Sequence, residues 1–256
     1  MHANGSPCPA NERTLCLFAA FLAESINHAS IKVYLPSTSS CSPRYQAQSR
    51  RQLFYSPSHH CIHLKIIRNS LDLRQHDHLM FWAACCLAFF GFLRSSEFTV
   101  PSLSAFSPAV HLTVADIAAE TFSQPTSLRV NIKASKTDPF RKGCFIFIGR
   151  GRNPICVVNA VLAFLHRRGC GLGPLFIREN GQPLTRELLS TWLKRILGSA
   201  GVQCNFSSHS FRIGAATADA KAGVPDHLIQ TLGRWSSNAY QVYIRTPPDQ
   251  ITRLAK

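Results

Sequence analysis

Apolar residues recur at helical or alternating spacing along most of the chain, and one stretch breaks the pattern. From Thr14 to Ser25, LCLFAAFLAES carries an apolar helical face, and SINHASIKVYL reads as the start of a second helix. The pattern then fails. Residues 25 to 71 contain ten serines, clustered Pro and His, and no acidic side chain, which is the composition of a loop. From Leu71 a polar lead runs into a long apolar helix that would bury Met80, Trp82, Ala83, Cys86 and Phe90. LRVNIKA alternates and CFIFIG is rich in β-formers, with TDPFRKG as a turn-rich bridge, so a hairpin is expected.

PICVVNAVLAFLHRR reads as an amphipathic helix opened by Pro154. PLFIRENGQPLT then gives a short strand and an NG turn, and Thr185 starts another helix with Lys194 and Arg195 on one side. After Ser207 a helix runs to Gly223 and Pro225, and DHLIQTLGRW forms a second, ending at Gly233. The expected class is mainly α with a small antiparallel β-sheet.

Composition narrows the partners. The chain has 256 residues and 45% hydrophobic content, enough for a large core. Lys and Arg outnumber Asp and Glu by 28 to 13, and the net charge of +15 favours an anionic partner, nucleic acid or an acidic membrane surface. The ten cysteines include an adjacent pair, Cys85 and Cys86, and no CxxC, so they read as buried reduced thiols of a nuclear or cytoplasmic protein. The opening MHANGSPCPANER has no basic start before an apolar run, so secretion is not expected. The most apolar run, Leu79 to Leu93, is too short to cross a bilayer comfortably and reads as a core helix.

The candidate chemistry lies between Ser207 and Arg245. His209 and Arg212 are three residues apart at a helix start, and Arg234 and Tyr243 follow on rigid supports. HHCxH, with His59, His60, Cys61 and His63, offers zinc-type donors but no second ligand pair, so no metal is expected, and no cofactor. No close acidic pair stands near the box, which argues against a two-metal nuclease.

HSFR, LGRW and YIR, in that order with Tyr243 ten residues after Gly233, resemble the catalytic box of the tyrosine recombinases, the phage integrase family. HSFRIGAAT and GRW are most similar to the recombinases of DIRS-type and Crypton-type mobile elements. Upstream, FLRSSE is similar to the family's first catalytic arginine motif, with Arg94 and a supporting Glu97, and SKTD is similar to the motif of its lysine general acid, Lys136. The resemblance implies an integrase-like catalytic domain over 71–256. It also implies a partial helical core-binding domain, the DNA clamp, over 14–35, after a disordered lead at 1–13 and before a degenerate or disordered segment at 36–70.

It implies further that Arg94 and Arg212 hold the scissile phosphate, Tyr243 attacks phosphorus, Lys136 protonates the departing 5′ oxygen and His209 assists. Where the family has His or Trp after LG, this chain has Arg234 and then Trp235. Either Arg234 replaces that residue or Trp235 packs into its place. Tyr240, three residues before Tyr243, reads as a core tyrosine. Lys133, Arg141, Lys142, Lys194 and Arg195 are the candidate DNA contacts.

The partner implied is double-stranded DNA, without a membrane, and the assembly implied is a homo-oligomer, a tetramer on paired sites. Three functions fit these residues: a DNA strand transferase acting through a 3′-phosphotyrosyl intermediate, a non-catalytic DNA-binding remnant of a mobile element, and a type IB topoisomerase.

Overall fold

The computed structural model describes residues 62–119, 125–136, 138, 140–151, 154–202, 206–207, 209–235 and 237–244, together with the backbone of 32–36. In chain order the elements are β1 (Lys32–Pro36), α1 (Ile62–Asn69), α2 (His76–Phe90), α3 (Ser95–Phe98), β2 (Ile117–Ala119), β3 (Ser127–Ile132) and β4 (Cys144–Gly149). They continue with α4 (Val157–Arg168), α5 (Arg186–Ser199), α6 (Ser210–Lys221) and α7 (Asp226–Gly233). Short 3-10 helices stand at Val114–Asp116 and Asn238–Tyr243.

Helix α2 is the axis of the packing. Every residue from Leu79 to Phe90 is buried, so the helix is apolar all round and must be enclosed on all sides. Helices α4, α6 and α1 pack against it, and α5 covers α1. The residues expected inside this helix, Met80, Trp82, Ala83, Cys86 and Phe90, are all there. Among the described residues no helix is long and apolar enough to cross a membrane.

The expected hairpin is β3 and β4, paired antiparallel from Ser127 opposite Gly149 to Ile132 opposite Cys144. Leu128, Val130 and Ile132 face the core while Arg129 faces out, the alternation of a half-buried sheet. The sheet is antiparallel throughout, in the order β1-β4-β3-β2. Ile146 of β4 comes so close to Gly91, just past the end of α2, that a side chain at Gly91 would meet it at 3.1 Å. That contact brings the sheet to the segment that carries Arg94.

Two expectations are corrected. Lys32–Pro36, read as the start of a helix, is a strand paired with β4. Five residues cannot show a helical period, and the β-formers Val33 and Tyr34 suit a strand, with Pro36 tolerated because β1 is an edge. The segment 36–70, read as irregular, ends in α1, whose Leu64 and Ile67 are three residues apart and buried on one face. Most of the residues assigned to a clamp, and His59, His60 and Cys61, lie outside the described residues.

Of the described cysteines, Cys85, Cys86, Cys144 and Cys156 are buried and Cys170 is half-buried.

Candidate active site

Arg94 stands at the N-terminus of α3, just after a tight turn out of α2. Phe92 in that turn has φ 51, a left-handed conformation uncommon for a side chain of this size. The twist aims the Phe92 carbonyl inward, where it accepts from Arg212 Nη1 at 3.1 Å and Arg234 Nη2 at 3.2 Å. Arg94 itself donates through Nη1 to Ser135 Oγ at 2.6 Å and to Glu97 Oε1 at 3.2 Å. Through Ser135, the start of α3 is joined to the hairpin that carries Lys136.

Glu97 is the only carboxylate among these described hydrogen-bonded groups, and it is buried. It accepts from the Arg94 backbone N–H at 2.9 Å and from Arg234 Nη2 at 2.6 Å. Burial works to raise its pKa, but the Arg234 charge, the Arg94 N–H and the Arg94 charge outweigh it. The carboxyl therefore titrates below the ordinary glutamate value.

Arg212 and His209, three residues apart at the start of α6, part company. His209 is the residue before the first turn of α6 and lies at the surface, whereas the Arg212 side chain turns into the core and is 2% exposed. Its guanidinium donates to the carbonyls of Phe92 and Gly233 and lies over the Trp235 ring, 4.2 Å from its centre. That ring occupies the space beside Gly233, where an added Cβ would overlap it.

Arg234 caps α7 in the left-handed conformation, φ 57 and ψ 43, with the Trp235 N–H bonded back to the Gln230 carbonyl. Its buried side chain is the counter-ion of Glu97. Trp235 covers Arg212, and Arg234 serves the carboxylate. The reading of Arg234 as a residue that reaches the reacting phosphate is corrected, because both of its Nη groups are engaged inside the protein.

The electrostatics at His209 show what converges. Partial burial and then the positive charges of Arg186, Arg212, Arg94 and Lys136 hold its pKa below the ordinary histidine value. Four cations from α5, α6, the α3 start and the hairpin thus act on one imidazole. Arg186 was not among the residues singled out from sequence. Its signal was present in the LTRE at the start of α5, where Thr185 Oγ1 accepts from the Leu188 N–H at 3.1 Å and fixes the first turn.

Tyr240 is buried, 6.2 Å from the Trp235 ring between centres, and its hydroxyl donates to Asp226 at 3.3 Å. Tyr243 closes the 3-10 helix Asn238–Tyr243, which packs on α6 and α7. Its side chain lies outside the described residues.

Of the expected DNA contacts, Arg141, Lys142, Lys194 and Arg195 are exposed, and so is Lys136, the expected general acid. Arg195 rests over the Trp192 ring at 5.6 Å. Lys133 is corrected: its ammonium is bound to Asp116 at 2.5 Å and to the Pro108 carbonyl at 2.6 Å. Asp116 is buried, and a buried carboxylate needs the cation.

Residues 132–247 match the phage integrase family. The match begins at Ile132, the last residue of β3, and takes in β4, α4 to α7 and Tyr243, and Arg94 lies upstream of it. No curated protein matches the chain. Among solved structures it is similar to the XerH site-specific recombinase bound to palindromic difH substrate in a post-cleavage complex, with a TM-score of 0.57 and 17% identity over 78% of this chain. It is also similar to the XerA recombinase, with a TM-score of 0.54 and 15% identity over 81% of this chain. The chain spans 51% of the XerH chain and 66% of the XerA chain. At these identities the likeness shows the integrase-like fold.

Proposed function

We propose that this protein cleaves and rejoins double-stranded DNA through a 3′-phosphotyrosyl intermediate. The observation that carries the reading is the linked set of Arg94, Arg212 and Arg234 around Glu97 and the Phe92 carbonyl, joined through Ser135 to the hairpin of Lys136, beside a segment that matches the phage integrase family. Cations gathered beside a surface imidazole suit a phosphodiester. XerH, similar in fold, is a site-specific recombinase bound to a palindromic difH substrate, which supports a DNA partner here.

In this mechanism the phosphate docks on Arg94, the most accessible of the three linked guanidiniums, with Arg212 behind it. Guanidinium donors stabilise the charge that grows on the nonbridging oxygens. The Tyr243 oxygen forms a bond to phosphorus as the bond to the 5′ oxygen breaks. The tyrosine proton passes toward His209, and Lys136 gives a proton to the departing 5′ oxygen. Attack by a 5′ hydroxyl reverses these steps, so the bond energy is retained and no ATP is consumed.

Glu97 and Arg234 hold Arg94 and the Phe92 carbonyl in place without touching the phosphate. The resemblance of HSFRIGAAT and GRW to the DIRS-type and Crypton-type recombinases supports mobile-element recombination in a nucleus and a tetramer on paired sites. The clamp over 14–35 belongs to the same reading.

The test is covalent trapping on a randomised duplex pool with bridging 5′-phosphorothiolates, whose departing thiol reseals poorly. A protein–DNA band that survives denaturation is expected, absent with Tyr243→Phe. Salt-sensitive binding without any band would favour the non-catalytic DNA-binding protein, and plasmid relaxation without strand exchange would favour a topoisomerase.

A further inference from the structure

The loop joining β3 to β4 carries a feature that the strand-transfer chemistry does not use. Phe140 is 81% exposed and is the one aromatic ring among the exposed large hydrophobic side chains of the described residues. Lys136, Arg141 and Lys142 around it in sequence are exposed too, and the Lys142 ammonium lies 5.9 Å from the centre of the Phe140 ring.

The tip is a built turn. The Asp138 carboxylate accepts from the backbone N–H groups of Lys142 at 3.1 Å and Gly143 at 2.7 Å. The Asp138 N–H bonds to the Ser135 carbonyl at 2.9 Å, and the Arg141 N–H to the Asp138 carbonyl at 3.2 Å. Arg141 takes φ 50 to close the turn. Gly143, at φ 66, lies where an added Cβ would meet the Ile132 carbonyl at 2.9 Å. These bonds tie Asp138 to Arg141, Lys142 and Gly143 across the turn, and the Phe140 ring stands in water.

We propose that Phe140 is a wedge that inserts at a base step of the duplex beside the cleaved phosphate, and so helps to choose the target sequence. The proposal rests on the DNA reading above. A flat apolar ring set among three cations fits a partner that places anions and flat apolar faces side by side. Nucleic acid does this, with phosphates for Lys136, Arg141 and Lys142 and a base face for the ring. An acidic membrane would meet the cations equally well, but a single ring gives it little apolar area to hold.

Position favours DNA as well, since the root of this turn is tied to the site by the bond from Arg94 to Ser135 Oγ. Phe140 is four residues beyond Lys136, so at full extension its backbone reaches at most about 14 Å from it. That is about four base steps along one strand at ~3.4 Å each. Pyrimidine–purine steps unstack most readily, so one of them is expected within that distance of the cleavage point.

The test uses the full chain and its Phe140→Ala and Phe140→Trp variants on short duplexes recovered by binding from a random-sequence pool. 2-Aminopurine is placed in turn at each step near the protected site, and its fluorescence reports unstacking whether or not a strand is cut. With Phe140 and with Phe140→Trp, fluorescence should rise at one pyrimidine–purine step. With Phe140→Ala the rise should vanish and affinity for the recovered sequence fall about ten-fold, with the salt slope unchanged.

Phe140→Ala duplexes that fluoresce as before, or an unchanged preference in its own selection, would overturn the wedge. So would loss of binding by Phe140→Ala to vesicles of anionic lipid with DNA binding intact, which would assign the ring to a membrane. A fluorescence rise without any covalent product would support the wedge while refuting strand cleavage.

Discussion

Arg234 and Glu97 form a buried ion pair, Nη2 to Oε2 at 2.6 Å, that ties the end of α7 to the short helix α3 across 137 positions of sequence. The same carboxylate holds Arg94. One buried anion therefore sets the relative position of the first arginine and of the α7 end, from which the chain leads to Tyr243.

Removing that anion should be costly and its pH signature distinctive. Glu97→Gln is expected to lose about 3–5 kcal/mol, because guanidiniums are left without their buried counter-charge. The folded-state pKa of Glu97 lies below its unfolded value. Its stabilisation is thus complete above the ordinary value of about 4.3 and is lost as pH falls through the folded value. Urea unfolding at several pH values should show a gap between the two proteins that is flat at neutral pH and narrows only in acid. A gap already closing near neutrality would contradict the assigned shift.

Gly233 is fixed by the Trp235 ring. Gly233→Ala places a methyl group where that ring lies and must push it off Arg212. A loss of about 1–3 kcal/mol is expected, as for other overpacked sites, with a change in tryptophan fluorescence. Stability equal to that of the unmutated protein would show that the stack on Arg212 is not held this way.

Anion binding should be visible at His209. Its pKa is lowered by partial burial and by Arg186, Arg212, Arg94 and Lys136, so neutralising one of these cations must raise it. In an NMR titration, Arg186→Gln should move the His209 midpoint upward, and so should inorganic phosphate added to the unmutated protein. Midpoints unmoved by both would mean that the cations do not converge there.

The two tyrosines should separate cleanly. Tyr240→Phe deletes the bond to Asp226 and is expected to cost about 0.5–1.5 kcal/mol in stability while leaving adduct formation in place. Denaturation and the trapping gel, run on the same preparation, check both halves.

Much of the fold was legible because long periodic segments announce themselves. Helix α2 runs through the apolar stretch beginning at Leu79, and the hairpin of β3 and β4 follows the alternation in LRVNIKA and CFIFIG. Strand β1 was not, since its partner β4 is more than a hundred residues away and five positions have no period of their own. Helix α1 was hidden behind a Ser- and His-rich lead, its two buried residues too few to mark a face.

In the site, HSFR and LGRW located the residues but not their directions. That Arg212 turns inward, that Arg234 serves Glu97, and that Lys133 is spent on Asp116 all depend on contacts distant in sequence. Ser135 was read only as part of the motif around Lys136, yet it receives the bond that joins Arg94 to the hairpin.

The central claim is that Tyr243 becomes covalently joined to DNA, and the tryptic map offers a direct test. Cleavage after Arg234 and Arg245 releases Trp235–Arg245, which contains both Tyr240 and Tyr243. Adducts trapped on the phosphorothiolate pool, digested with nuclease and trypsin and fragmented in a mass spectrometer, should carry the nucleotide remnant on Tyr243. A remnant on Tyr240 or on any other residue, or none on a chain that binds and cuts the same DNA, would contradict the account.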